Sequence, residues 1–183
     1  MTTPQEQRRI RLANDYREMM NLRGPIVSWN ARQGQPPHVE VYELTVNIRS
    51  IIGPAPRFRD QHQILITLPA TYPHHSAPEI KMISRPVVFH PNWWNHGGWC
   101  YGSSWEVSEG LGHHVIRMLR TLQFNRDITH PGSAANHEAA SWYQTHIREF
   151  PCDSQTLPDP TKSRFRMGAD PEPKKFDIRI DEA

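Results

Sequence analysis

Between about Gln5 and Leu22, Leu12, Tyr16, Met19 and Met20 recur at the spacing of one helix face, with Arg8, Arg9, Arg11 and Arg17 on the other sides. That pattern predicts an amphipathic helix, ended by Gly24-Pro25. From Val39 the period drops to two: Tyr42, Leu44, Val46 and Ile48 alternate with Glu43, Thr45 and Asn47, as a half-buried strand requires. A second alternating run, Ile64, Ile66 and Leu68, follows the Gly53-Pro54-Ala55-Pro56 break, and Ile80-Lys81-Met82-Ile83 forms a third. Consecutive strands with short polar connections predict an antiparallel meander. Residues 85–112 follow neither period, yet they hold Trp93, Trp94, Trp99, Trp105 and Cys100. Long irregular segments in compact domains are usually functional.

Helical spacing returns at Val115, Met118, Leu119 and Leu122, and again at Ala135, Ala139, Trp142 and Tyr143 after Ser133, which is placed to cap that helix. The expected class is therefore α+β: an N-terminal helix, an antiparallel meander sheet, an irregular segment around the cysteine, and C-terminal helices. At 183 residues the chain needs only one core, expected over 1–150, with 151–183 as a Pro- and charge-rich tail. Within the tail Phe176, Ile178 and Ile180 alternate as a short strand added to a partner's sheet would, against the simpler reading of a solvated tail.

Charge changes the picture by exclusion. The 21 Lys and Arg nearly balance the 19 Asp and Glu, so no polyanion-binding signature marks a nucleic-acid partner. No apolar run approaches a membrane span, and the start MTTPQEQRRIRL lacks the apolar core of a secretory signal, so a soluble cytoplasmic protein is expected. The two cysteines, Cys100 and Cys152, are too few for a disulfide framework. Histidines 90, 96, 113 and 114 flank Cys100, but with no CxxC or HExxH spacing neither a metal nor another cofactor is expected.

The candidate chemistry lies in an ordered set of motifs. Tyr72-Pro73 is followed by Pro78 and then by His90-Pro91-Asn92, with Cys100 eight residues beyond Asn92 and Trp105 ahead of the next helix. Over about residues 8 to 148 this order resembles the ubiquitin-conjugating enzyme family. The resemblance implies an enzyme in which Cys100 carries a ubiquitin-like protein as a thioester, received from an activating enzyme that meets the first helix, and passes it to an amine of a target protein. A thiolate suits that task because its thioester stays reactive towards amines. Asn92 is then the candidate hydrogen-bond donor to the developing oxyanion, or a brace for the loop before the cysteine. His90 and Pro91 read as structural, the proline restricting the residue before it and the imidazole satisfying loop backbone.

The family often places an acid before a proline after the second helix to handle the incoming lysine. Here that stretch is Asn125-Arg126-Asp127-Ile128-Thr129-His130-Pro131, so Asp127 or His130 takes the role, with His130 standing where the acid is expected. His74-His75-Ser76 replaces the family's aromatic after Tyr-Pro, and Val107-Ser108-Glu109 replaces its Ser-Pro-Ala, so docking to RING-type ligases is not expected. These departures suggest a divergent branch, with prokaryotic conjugation systems as one source. Three other readings remain: Cys100 as a buried core thiol, a thiol hydrolase using a downstream histidine, and a binding module of the same fold that holds a ubiquitin-like protein without catalysis.

Overall fold

A computed structural model describes residues 3–102 and 104–162 of the chain. Helix α1 spans Pro4–Leu22 and starts with a capping box in which Thr3 and Glu6 satisfy each other's backbone N–H groups. Its buried face carries Leu12, Met19 and Leu22 together with a carboxylate, Asp15. The strands are β1 (Val27–Gln35), β2 (His38–Val46), β3 (Ser50–Gly53), β4 (Arg57–Arg59), β5 (His62–Thr67) and β6 (Glu79–Met82). Strands β1, β2, β5 and β6 form one antiparallel sheet in that spatial order, and β3 and β4 pair separately across the Pro-rich break.

Period two predicted β2, β5 and β6 but not β1. Only Val27 and Trp29 of β1 are buried, and the rest of it is exposed and largely polar. This edge strand exists because β2 supplies its hydrogen bonds in register from Val27↔Val46 to Gln35↔His38, with irregularities around Gln33. Gly34, at φ +82°, makes the turn possible: a Cβ there would stand 2.3 Å from the His38 carbonyl oxygen.

Helix α2 (Leu111–Leu122) packs Leu111, Val115, Met118, Leu119 and Leu122 into the same core as α1 and the sheet. Its N-cap, Gly110, has no side chain, so α1 supplies the acceptors: Asp15 Oδ1 accepts from Leu111 N–H at 3.0 Å and Glu18 Oε2 from Gly112 N–H at 2.8 Å. Asp15 also accepts from Arg11 Nε at 2.9 Å and the Tyr72 hydroxyl at 2.7 Å. Burial pushes its carboxyl above the usual carboxylate range, and these donors pull it only part of the way back.

At the end of α2, Phe124 takes a left-handed conformation, φ 57°, where glycine is usual. Its ring accounts for this, lying fully buried 4.2 Å from the His90 ring and 4.4 Å from that of Phe150. Helix α3 (His137–Thr145) is capped by Asn136, which accepts from Ala139 N–H at 3.0 Å, and not by Ser133, which lies in a short 3-10 turn. Beyond Phe150 the chain lies against the body: Gln123 Nε2 donates to the Gln155 carbonyl at 2.8 Å, Asn21 Nδ2 to the Pro160 carbonyl at 2.7 Å, and Pro158 and Pro160 are buried. The alternating Phe176, Ile178 and Ile180 lie outside the described residues.

Candidate active site

The segment that follows neither period is ordered by pairing. Trp93 bridges Trp99, Trp94 N–H donates to the Gly98 carbonyl at 2.8 Å, and Cys100 N–H donates to the Asn92 carbonyl at 2.9 Å. Residues 92–100 are thus a small hairpin, and it docks on the sheet edge, where Met82 N–H donates to the Gly97 carbonyl and Lys81 bridges Gly98. Gly97, at φ +103°, closes the turn against the Met82 carbonyl, 2.4 Å from where a Cβ would stand.

The His90-Pro91-Asn92 turn joins this hairpin to the helices. The His90 ring is fully buried, and its Nδ1 accepts from Asn92 N–H at 2.9 Å. Burial pushes the imidazole down to about 3, so it is neutral and serves as an acceptor at the hairpin. The Pro91 carbonyl accepts from Ala135 and Asn136 N–H at 2.8 and 3.0 Å, fixing the approach to α3. The Asn92 side chain is 1% exposed and holds the loop after α2: Oδ1 accepts from His130 N–H at 2.9 Å, while Nδ2 reaches the His130 carbonyl only at 3.5 Å. The second contact is at the outer limit of a hydrogen bond.

Cys100 is half-buried and opens on a recess of about 90 Å³ that it shares with Trp99, Tyr101, Gly102, Arg117, Thr121, Ile128 and His130. Gly102, at φ +70°, brings the loop against the His130 ring, 3.5 Å from where its Cβ would stand. The fold therefore gathers Cys100, Asn92 and His130 within one network. Asp127 is not among the lining residues: it is exposed, and its carboxylate faces Arg120 at 3.2 Å. Cys152 lies elsewhere, its thiol donating to the Arg49 carbonyl at 3.2 Å, and burial pushes it up to about 12.

Arg117 is a recess residue that sequence patterning did not single out. Its Nη1 donates to both Glu109 carboxylate oxygens at 3.0 Å, and its Nη2 to the Tyr101 carbonyl at 3.2 Å, clamping the backbone next to Cys100. Beside it His114 is fully buried among the rings of Trp99, Tyr101 and Trp105, with centroids 5.1 to 5.2 Å away, and its Nδ1 faces Glu109 at 3.3 Å. Burial pushes His114 down to about 4. The period of α2 assigns Val115 and Met118 to the core but does not reveal that the side of Arg117 faces the cysteine loop. Among the described residues no cluster of three or more His, Cys, Asp or Glu is arranged to hold a metal ion, and no helix is long and apolar enough to cross a membrane.

With its helix, antiparallel meander, pinned cysteine hairpin and closing helices, the chain has the ubiquitin-conjugating-enzyme fold. The solved structure of S. cerevisiae Ubc12 matches it with a TM-score of 0.56 at 20% identity, covering 78% of this chain and 74% of that one. In sequence the chain is similar to ubiquitin-conjugating enzyme E2 2 of Kluyveromyces lactis, 28% identical over 159 residues that cover 82% of this chain and 84% of the relative. Ubiquitin-conjugating enzyme E2 2 of Saccharomyces cerevisiae is 27% identical over 159 residues, covering 82% and 80%. No family model matches the chain.

Proposed function

We propose that the chain is a conjugating enzyme that carries a ubiquitin-like protein on Cys100 and transfers it to an amine of a target protein. The observation that supports this most directly is the contrast between its two thiols. Cys152 is bonded to backbone and pushed up to about 12, whereas Cys100 opens on a recess at the end of a hairpin held by Asn92. In the loading step the Cys100 thiolate attacks the thioester carbonyl brought by an activating enzyme. A new C–S bond forms, the old one breaks, and the activating enzyme's cysteine leaves as a thiolate. In the discharge step an amine nitrogen attacks the same carbonyl, the C–N bond forms, the C–S bond to Cys100 breaks, and the amine proton passes to a base.

His130 is our candidate for receiving that proton, because it lines the recess and Asp127 does not. Asn92 braces the His130 loop through Oδ1 and has Nδ2–H capacity to spare for the oxyanion, since its bond to the His130 carbonyl is long. Arg117 holds the Tyr101 backbone in place. His90 and Pro91 act as scaffold. The partners are a ubiquitin-like protein, its activating enzyme and a target protein, in the cytoplasm. His74 and Val107 line the groove between α1 and the loops after Tyr72 and Trp105, which is unlike the aromatic surface of RING docking.

The test is to incubate the protein with an activating enzyme, ATP and the ubiquitin-like protein encoded nearby. A thiol-sensitive adduct should form, be abolished by Cys100→Ala and persist in Cys152→Ala. If no adduct forms while the activating enzyme is itself charged, the transfer reading fails and a binding module takes its place.

A further inference from the structure

Val107-Ser108-Glu109 departs from the family's Ser-Pro-Ala, and the fold turns the last of these residues inward, towards α2. Glu109 is held through its own backbone: its N–H donates to the Glu106 carbonyl at 2.9 Å, and its carbonyl accepts from Arg11 Nη2 on α1. The carboxylate therefore has a fixed origin, just ahead of the N-cap Gly110. His114 and Arg117, one helical turn apart on the same side of α2, converge on it. His114 Nδ1 faces Oε2 at 3.3 Å, and Arg117 Nη1 donates to both oxygens at 3.0 Å. Through Nη2 Arg117 also donates to the Tyr101 carbonyl at 3.2 Å, and its guanidinium lies 6.0 Å from the centre of the Tyr101 ring.

The buried histidine does more than fill space. Burial keeps it neutral, and a neutral imidazole facing a carboxylate holds its one proton on Nδ1, which leaves Nε2 a bare acceptor. That Nε2 is buried with no hydrogen-bond partner among the described residues. A phenyl ring would occupy the same space between Trp99, Tyr101 and Trp105 and leave no buried acceptor unmet, which is the more stable arrangement. What the imidazole adds is the hydrogen bond that orients Glu109. Arg117 is equally specific: its planar fork reaches the carboxylate and the Tyr101 carbonyl at once, as a single ammonium does not. Because Arg117, Tyr101, Cys100 and His130 line one recess, the tether at Tyr101 sets where the backbone next to the reacting sulfur stands relative to His130.

We propose that Glu109 is a positioning residue for transfer: oriented by His114, it aims Arg117 at the Tyr101 carbonyl and so holds the Cys100 backbone in register with the recess that contains His130. The effect on rate rests on the transfer reading, but the lock itself can be measured in the uncharged protein.

Glu109→Gln removes the charge that aims Arg117, Arg117→Lys keeps a cation without the fork, and His114→Phe keeps a ring without the orienting bond. In the uncharged full chain, NMR relaxation should give the Tyr101 amide an order parameter of about 0.85 in the wild type and below about 0.6 in Glu109→Gln and Arg117→Lys, with the β2 amides unchanged. In the charged protein, the limiting rate of single-turnover discharge to free lysine should fall about tenfold to hundredfold in those two variants and about threefold to tenfold in His114→Phe, at an unchanged half-saturating lysine concentration. The double variant Glu109→Gln/Arg117→Lys should be no slower than its slower parent, because both changes break one unit. The ion pair is part-exposed, so Tm should fall by no more than about 5 °C in either single variant, and His114→Phe should be at least as stable as the wild type at pH 7. Stability kept with rate lost is a result that a space-filling role does not produce. A wild-type rate in any of the three variants overturns the proposal, as does slow discharge with Tyr101 as rigid as in the wild type. Loss of order that β2 shares with Tyr101 marks plain destabilisation and overturns it too. If the wild type is never charged while the activating enzyme is, the transfer reading fails, and the order parameter at Tyr101 alone then decides the lock.

Discussion

Asn92 has two separable tasks, because its oxygen and its nitrogen face different demands. Asn92→Ala removes the acceptor for His130 N–H, a 2.9 Å bond, and deletes a side chain that is 1% exposed. Since His130 is exposed, water can take over the freed N–H, so the lost bond costs about 0.5–1.5 kcal/mol, and the small void brings the total to about 1–3 kcal/mol. For a chain of this size that corresponds to a fall in Tm of roughly 3–10 °C.

The catalytic effect has a different size. If Nδ2 donates to the oxyanion, single-turnover discharge of the charged enzyme to free lysine falls about 100-fold to 1000-fold. If Asn92 is only a brace, discharge falls no more than the loop's altered position dictates, a few-fold. Asn92→Asp separates the two: an oxygen still faces His130 N–H while the donor is gone, so Tm should fall less than in Asn92→Ala and discharge should fall as far. The assay pairs thermal unfolding with loss of a thiol-sensitive adduct over time. Charged variants that both discharge within fivefold of wild type refute the donor role. An Asn92→Asp variant as unstable as Asn92→Ala refutes the brace.

Two further perturbations test the scaffold. Asp15→Ala leaves the Tyr72 hydroxyl, the Leu111 N–H and the Arg11 guanidinium without their buried acceptor, so denaturant unfolding should show a loss of about 3–5 kcal/mol. A loss below about 1 kcal/mol refutes the hub between α1 and α2. His62, His90 and His114 are each buried and pushed down, to about 4, 3 and 4. The unfolded chain therefore takes up protons near pH 6.5 that the folded chain refuses. Their contribution is full above pH 6.5 and is lost as pH falls towards 4, at up to about 1.4 kcal/mol per pH unit for each histidine. His114→Phe, which keeps a ring among Trp99, Tyr101 and Trp105, should flatten that decline, and an unchanged slope in chemical denaturation between pH 6.5 and 4.5 refutes the assignment.

The elements that bury one face were legible because burial imposes a period on the sequence. Leu12 and Met19 mark α1, Tyr42, Leu44 and Val46 mark β2, and Val115, Met118 and Leu122 mark α2, each set with the period of its element. The order of Tyr72-Pro73, His90-Pro91-Asn92 and Cys100 was equally legible, being a matter of local spacing. Strand β1 was not, because most of its residues face solvent and its hydrogen bonds come from β2; nor was the Asn136 cap, which depends on where the Pro91 carbonyl holds the chain. The same distinction runs through the candidate site. Sequence spacing brought Asn92 and Cys100 into one argument, but contacts across tens of residues decided that His130 lines the recess and Asp127 does not, that Arg117 clamps the Tyr101 backbone, and that Pro160 lies against α1. Period and spacing are properties of neighbours along the chain. Which side chains share a recess follows from packing between distant segments, and only the folded chain sets that.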